Sequence, residues 1–194
     1  MAKPTDRELV EQTKAGDSHA FGLLVRRHQR RIFRLAFHLV RSGAEAEDVM
    51  QETFVRAYQA IGRFDGRSEP FTWLYRIAVN LSLNTLRSRK VTRDSSSTDD
   101  PRIEALLRET RPSHGRDPAA ASQEKQLAAA LCEGIDTLSD TLRTTLILVC
   151  IDGLAHDDAS KVLGCPEGTV AWRVHEARRK LREYLATRGF EGEA

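Results

Sequence analysis

No part of this sequence approaches the roughly eighteen consecutive apolar residues that cross a bilayer, and its opening, MAKPTDRELV, has no apolar leader core. The expected location is therefore cytoplasmic. Cysteine is scarce: Cys132, Cys150 and Cys165 are odd in number, widely spaced and without a C-x-x-C pair, which excludes a disulfide framework. A zinc site from Cys150, His156 and Cys165 lacks ligand spacing, so the thiols read as buried and metal-free. Cys165, beside a helix start, leaves a redox role open. Net charge is small as well, +2 from 30 basic and 28 acidic residues, so the chain is no indiscriminate polycation. Phosphate-cradling glycine loops, nucleophile–base spacings and tandem repeats are all missing. An enzyme is not expected, nor is any cofactor or metal.

What the sequence does contain is helical periodicity. At 194 residues it can form two small domains, and the apolar residues recur at spacings of three and four almost throughout. A short helix is expected over 7–15, and Asp17 then caps a long one in which Phe21, Leu24, Val25, His28, Ile32, Leu35, Ala36 and Leu39 face inward. His28 reads as a satisfied core histidine. After Ser42 and Gly43 a third helix buries Ala46, Val49, Met50, Thr53, Phe54, Ala57 and Ile61. Its other side, with Glu47, Asp48, Gln51, Glu52 and Arg56, is either plain solvated surface or a docking face for a basic helix.

Residues 62–69, GRFDGRSE, read as a loop. Pro70 then opens PFTWLYRIAVNLSLNTLRSRK, which mixes aromatics with Arg76, Asn80, Asn84 and Arg87, the side chains that stack on and hydrogen-bond unpaired bases. Trp73 fits either core or a wedge at a duplex junction. Composition shifts over 91–122 toward Ser, Asp, Pro and Gly, as in a flexible tether between domains. The helical period returns at QLAAALCEGIDTL, and Ser139 caps an apolar helix, DTLRTTLILVCI.

The stretch 153–185 supplies the most informative pattern. A short helix, Gly164 at a position suited to positive φ, and Pro166 opening a second helix make a helix-turn-helix over about 155–180. Val170, Val174, Ala177, Leu181 and Leu185 form its inner stripe. Thr169, Trp172, Arg173, His175, Glu176 and Arg179 face outward. An ordinary helical hairpin with a solvated basic face would share this periodicity.

LGCPEGTVAWRVHEARRKLREYL resembles the promoter-reading C-terminal domain of bacterial sigma factors of the extracytoplasmic-function (ECF) group, within the sigma-70 family. Upstream, D-x-x-Q-E-x-F and F-x-T-W-L-x-R-I-A-x-N resemble the N-terminal domain of the same group. The resemblance implies an all-α fold in two parts, a region 2-like bundle over 1–90 and a region 4-like domain over 123–188, with 91–122 between them and a tail at 189–194.

It also implies roles. Asp48, Gln51, Glu52 and Phe54, within a stretch of about 48–61, would bind core RNA polymerase. Phe64, Asp65 and Ser68 would sit in the loop that captures a flipped minus-10 base, with Asn80 and Asn84 on the same strand and Arg76 and Arg87 on phosphates. Arg173 and Arg178 would hold minus-35 phosphates. At the reading positions, Ala171, Trp172, His175 and Glu176 depart from the residues usual in the group, which points to an unusual minus-35 preference. Implied partners are core polymerase, promoter DNA and an anti-sigma factor. A helix-turn-helix regulator working without polymerase is the alternative, and it leaves the segment 71–84 without a role.

Overall fold

The computed structural model describes residues 3–92 and 118–190, all helices and loops among those residues. The first half holds α1 (Asp6–Lys14), α2 (Ser18–Val40), α3 (Gly43–Ala60), a single 3-10 turn (Ile61–Arg63) and α4 (Pro70–Thr92). The second holds α5 (Pro118–Thr137), α6 (Asp140–Leu146), a π turn (Ile147–Ile151), α7 (His156–Leu163) and α8 (Glu167–Thr187).

Helix starts fall where side-chain acceptors precede apolar runs. Thr5 and Glu8 form a reciprocal capping box on α1, which at nine residues would be marginal alone. Asp17 accepts from the His19 and Ala20 amides, Ser42 from Glu45 and Ser139 from Leu142. Each such cap contributes about 1 kcal/mol. Gly16 and Gly164 adopt positive φ, 101° and 64°, ending α1 and α7 as their sequence positions suggest.

Of the expected tether, residues 91–92 and 118–122 are helical, at the end of α4 and the start of α5. The remainder, and the tail from 191, lie outside the described residues.

The two halves do not keep separate cores. One apolar cluster joins Ile32, Leu35 and Leu39 of α2, Val49 and Phe54 of α3, and Leu74, Tyr75 and Ala78 of α4 with Ile147, Leu148, Leu154, Ala159, Val162, Val170 and Val174. α7 packs directly on α4. Inside this junction lies Asp152, whose side chain is fully buried and accepts from Arg34 Nη2 and Nε at 2.9 and 3.1 Å. Arg41 and Asp136 form a second ion pair across the halves. Two smaller clusters complete the packing: Leu9, Val10, Ala20, Leu24, Ile61 and Phe64 at one end, and Ile135, Leu138, Leu142, Leu146, Ala177 and Leu181 at the other.

The second of these depends on a glycine. A Cβ at Gly134 in α5 would stand 2.8 Å from Tyr184 Cδ1 and 3.0 Å from Leu181 Cδ2. Gly134→Ala gains about 0.5–1 kcal/mol of helix propensity but incurs about 1–3 kcal/mol of overpacking, so the clash wins. Thermal unfolding should show a lower Tm for Gly134→Ala, whereas a raised Tm would mean that Tyr184 swings aside freely.

Candidate nucleic-acid interface

α4 sorts its residues by face. Leu74, Tyr75, Ala78, Val79, Leu81 and Ser82 are buried, so the positions between them must point out. Arg76, Asn80, Asn84 and Arg87 accordingly form one exposed row down the helix. Asn84 Oδ1 accepts from Arg87 Nη1 at 3.2 Å, which leaves the Asn84 amide hydrogens facing solvent.

The loop ahead of α4 is shaped by Asp65, which accepts from the Arg67 amide at 3.0 Å, and by Gly66 at φ 72°. Asp65 is exposed and Ser68 half-buried, but Phe64 is buried, its ring 5.1 Å from that of Trp73. The expected loop residues thus divide: Asp65 and Ser68 reach the surface, while Phe64 anchors the loop from below. Trp73 is half-buried, joining the main core to the Phe64 cluster. It also walls a cavity of about 510 Å³ with Arg63, Asp65, Ser68, Arg76 and, from α7, Lys161.

α3 presents a second surface. Asp48 and Gln51 are exposed, and half-buried Glu52 accepts from Arg56 Nε at 2.6 Å. Phe54 faces the interior at 7% exposure, edge-on to Phe21. The apolar side chains that this face does offer are Val55 and Tyr58, each 49% exposed. The sequence reading took Phe54 as the apolar anchor of this face and missed both. The signal was present, since Val55 and Tyr58 follow Asp48 and Gln51 at helical spacing.

In the second half, α7, the Gly164 turn and α8 form the expected helix-turn-helix. Val170, Val174, Ala177 and Leu181 are buried, while Leu185 is half-buried. Trp172 is 61% exposed, unusual for so large an apolar group. His175 and Arg179 are exposed beside it and Arg178 is exposed further round the helix, with Thr169, Arg173 and Glu176 half-buried.

The thiols depart from expectation, for only Cys132 is buried. Cys165, half-buried in the turn, accepts from Arg173 Nη1 at 3.5 Å, and exposed Cys150 accepts from Arg178 Nη2 at 3.3 Å. The π turn brings Cys150 to the flank of α8 instead of into the core.

Glu176 is also committed. Its two oxygens accept from Arg179 Nη2 and Nε at 2.8 and 2.9 Å, and Arg179 further pairs with Glu183. The hydrogen bond from Arg179 holds the Glu176 carboxyl below the usual carboxylate range, and Glu176 in turn raises Arg179.

An exposed row of amides and guanidinium groups beside a loop cavity, coupled to a helix-turn-helix, equips a protein to handle unpaired and duplex DNA in one chain. Comparison with known proteins places that class. Residues 24–92 match the family Sigma-70 region 2, and residues 130–181 match Sigma-70, region 4. The chain is 35% identical over 185 residues to the RNA polymerase sigma-H factor of Pseudomonas aeruginosa, covering 95% of this chain and 96% of that one. It is likewise 35% identical over 177 residues to the ECF RNA polymerase sigma-E factor of Escherichia coli K12, covering 91% and 92%. Among solved structures, that of CnrH in complex with the cytosolic domain of CnrY superposes with a TM-score of 0.65 at 27% identity, covering 94% of this chain and 97% of that one. The chain belongs to the sigma-70 family of RNA polymerase sigma factors, in its ECF group.

The Glu176–Arg179 fork has a measurable consequence. In an NMR titration the Glu176 carboxyl should titrate below the ordinary 4.5, and Arg179→Ala should move it upward. An unmoved titration in Arg179→Ala would mean that the fork is absent in solution.

Proposed function

We propose that this chain is a dissociable specificity subunit of RNA polymerase, cytoplasmic and without an active site of its own. Residues 1–90 bind the polymerase and open the minus-10 element, and residues 123–188 read the minus-35 element as duplex. The single observation that carries this reading is the exposed row Arg76, Asn80, Asn84, Arg87 running from the loop cavity. A regulator that only gripped duplex DNA through α8 would leave that row idle.

The chemistry follows from the two surfaces. Extruding a base costs about a few kcal/mol of stacking, which a cavity recovers only if it hydrogen-bonds the right base edge. Asp65, Ser68, Asn80 and Asn84 supply acceptors and donors for that edge and for the unpaired strand, while Arg76 and Arg87 take phosphates. Melting and recognition become one event, driven by binding free energy alone.

On α3, Asp48, Gln51 and Glu52 steer an arginine-bearing partner helix, and the buried contact area comes from Val55 and Tyr58. Phe54 supports the face from within. On α8, Arg173 and Arg178 hold phosphates, and Trp172 presents apolar surface suited to a thymine methyl. Thr169 and His175 lie beside it at the groove-facing end, and Glu176 acts with Arg179 as a unit. As in the family, an anti-sigma factor restrains the chain.

Reading both elements also requires the two halves to part. Elements centred 25 base pairs apart lie about 85 Å apart at 3.4 Å per pair, whereas packed helices lie about 8–10 Å apart. α4 and α7 are packed. With dyes on Arg30→Cys and Ala186→Cys, in a chain whose accessible native thiols are replaced, energy transfer should be high in the free protein and fall on joining polymerase. Unchanged transfer in a promoter-bound holoenzyme would contradict reading at both elements.

Two substitution sets test the surfaces. Asn80→Ala with Asn84→Ala should slow promoter opening about tenfold or more, followed by permanganate reactivity, while closed-complex binding falls far less; this corresponds to two hydrogen bonds of about 1 kcal/mol each. Equal losses in both would reject the role. Tyr58→Ala should weaken polymerase binding by about 2 kcal/mol with the fold intact, as for a buried aromatic anchor. Run-off transcription with purified core polymerase tests the function as a whole, and a chain that bound promoter duplex tightly yet ignored polymerase would favour the independent regulator.

A further inference from the structure

The base-capturing loop has its two ends tied to the same short helix, α1, which precedes the segment matched to Sigma-70 region 2. At the loop's start, Lys14 Nζ donates to the Phe64 carbonyl at 2.8 Å and lies 5.6 Å from the Phe64 ring centroid. At its end, Arg7 donates to Glu69 through Nη2 at 2.7 Å and Nε at 3.1 Å. Glu69 is also the residue whose carbonyl receives the Trp73 amide at 3.1 Å, so this tie reaches the first turn of α4. Between the two basic residues, Leu9 and Val10 are buried in one cluster with Ile61 and Phe64.

α1 is itself fixed to α2. Asp6 pairs with Arg27 and lies 2.7 Å, through Oδ2, from Nε2 of buried His28. Arg27 also donates to the Pro4 carbonyl at 2.8 Å. The helix therefore forms a brace, with one side on the long helix α2 and the other holding both feet of the loop, in addition to the loop's own Phe64–Trp73 and Asp65–Arg67 contacts.

We infer that Arg7 and Lys14 are positioning residues for promoter opening: through α1 they hold the loop 64–69 in the shape that accepts an extruded base. This inference rests on the reading of the chain as a sigma factor. A loop ordered before DNA arrives has less conformational entropy to lose on capture, so bracing speeds opening without any contact to DNA. Neither side chain is needed for polymerase docking through α3 or for minus-35 reading through α8. The Arg7–Glu69 pair is solvent-exposed and weak alone. The Lys14 side chain, 24% exposed and also paired with Glu11, makes the firmer tie through a charge-assisted bond to backbone.

The test uses the full chain and the reconstituted holoenzyme. Hydrogen exchange of the amides of residues 65–69 in the free chain should quicken about threefold or more in Arg7→Ala with Lys14→Ala. Promoter opening by the holoenzyme should slow about three- to tenfold, while polymerase and minus-35 affinities change less than twofold. The reversed pair Arg7→Glu with Glu69→Arg, Lys14 retained, should restore both loop protection and opening relative to Arg7→Glu alone, which a general loss of fold would not do. Loop exchange and opening unchanged in the double alanine variant would overturn the brace, as would polymerase binding lost in step with opening. A wild-type chain that failed to direct initiation at all would instead sink the sigma reading, leaving the exchange result to judge the brace.

Discussion

The structure turns on the two-faced character of α4. Burying Leu74, Tyr75, Ala78 and Ser82 against α2, α3 and the second half fixes the helix's rotation, and 100° per residue then dictates where every other side chain goes. Arg76, Asn80, Asn84 and Arg87 are exposed because their neighbours are buried. The loop before α4 inherits this placement, since Phe64 and Trp73 pack together at the point where loop becomes helix. Core and interface are thus opposite consequences of one rotation.

Polar groups within the junction between the halves give it a defined geometry. Asp152 is held by Arg34, and burial, followed by the charge of Asp152, pushes the Tyr75 phenol above its ordinary value. A carboxylate in this position is tolerable only while its guanidinium partner is present, because burial removes the water that would otherwise solvate it. Apolar contact alone would permit the halves to slide. The Arg34–Asp152 pair instead rewards one register.

The helix-turn-helix face carries less free positive charge than its arginines suggest. Arg179 is engaged by Glu176 and Glu183, and Arg173 and Arg178 rest on cysteine sulfurs. Sulfur is a weak acceptor, so the latter two guanidinium groups are only lightly held. The carboxylate fork on Arg179 is harder to break. Under the proposed reading, affinity from phosphate neutralisation would be limited, and discrimination would fall on exposed Trp172 and its neighbours.

Much of this was legible in the amino-acid order. Caps at Asp17 and Ser139, the Gly164 turn and the inner stripe of α8 are local matters, decided by neighbours within a turn or two, and each appeared where residue type and spacing placed it. The family was legible for the same reason, because its motifs are short and contiguous. Periodicity placed Phe54 inward, where it lies; it was the family resemblance that assigned contacts to Phe54 and Phe64, while the exposure of Val55 and Tyr58 was overlooked because spacing alone does not show how far a side chain is covered. The burial of Asp152, the sharing of one core by both halves and the bracing of residues 64–69 by Arg7 and Lys14 link positions from 50 to more than 100 residues apart. Only tertiary structure decides such pairings, because they depend on how completed helices pack and not on what any one stretch of chain prefers.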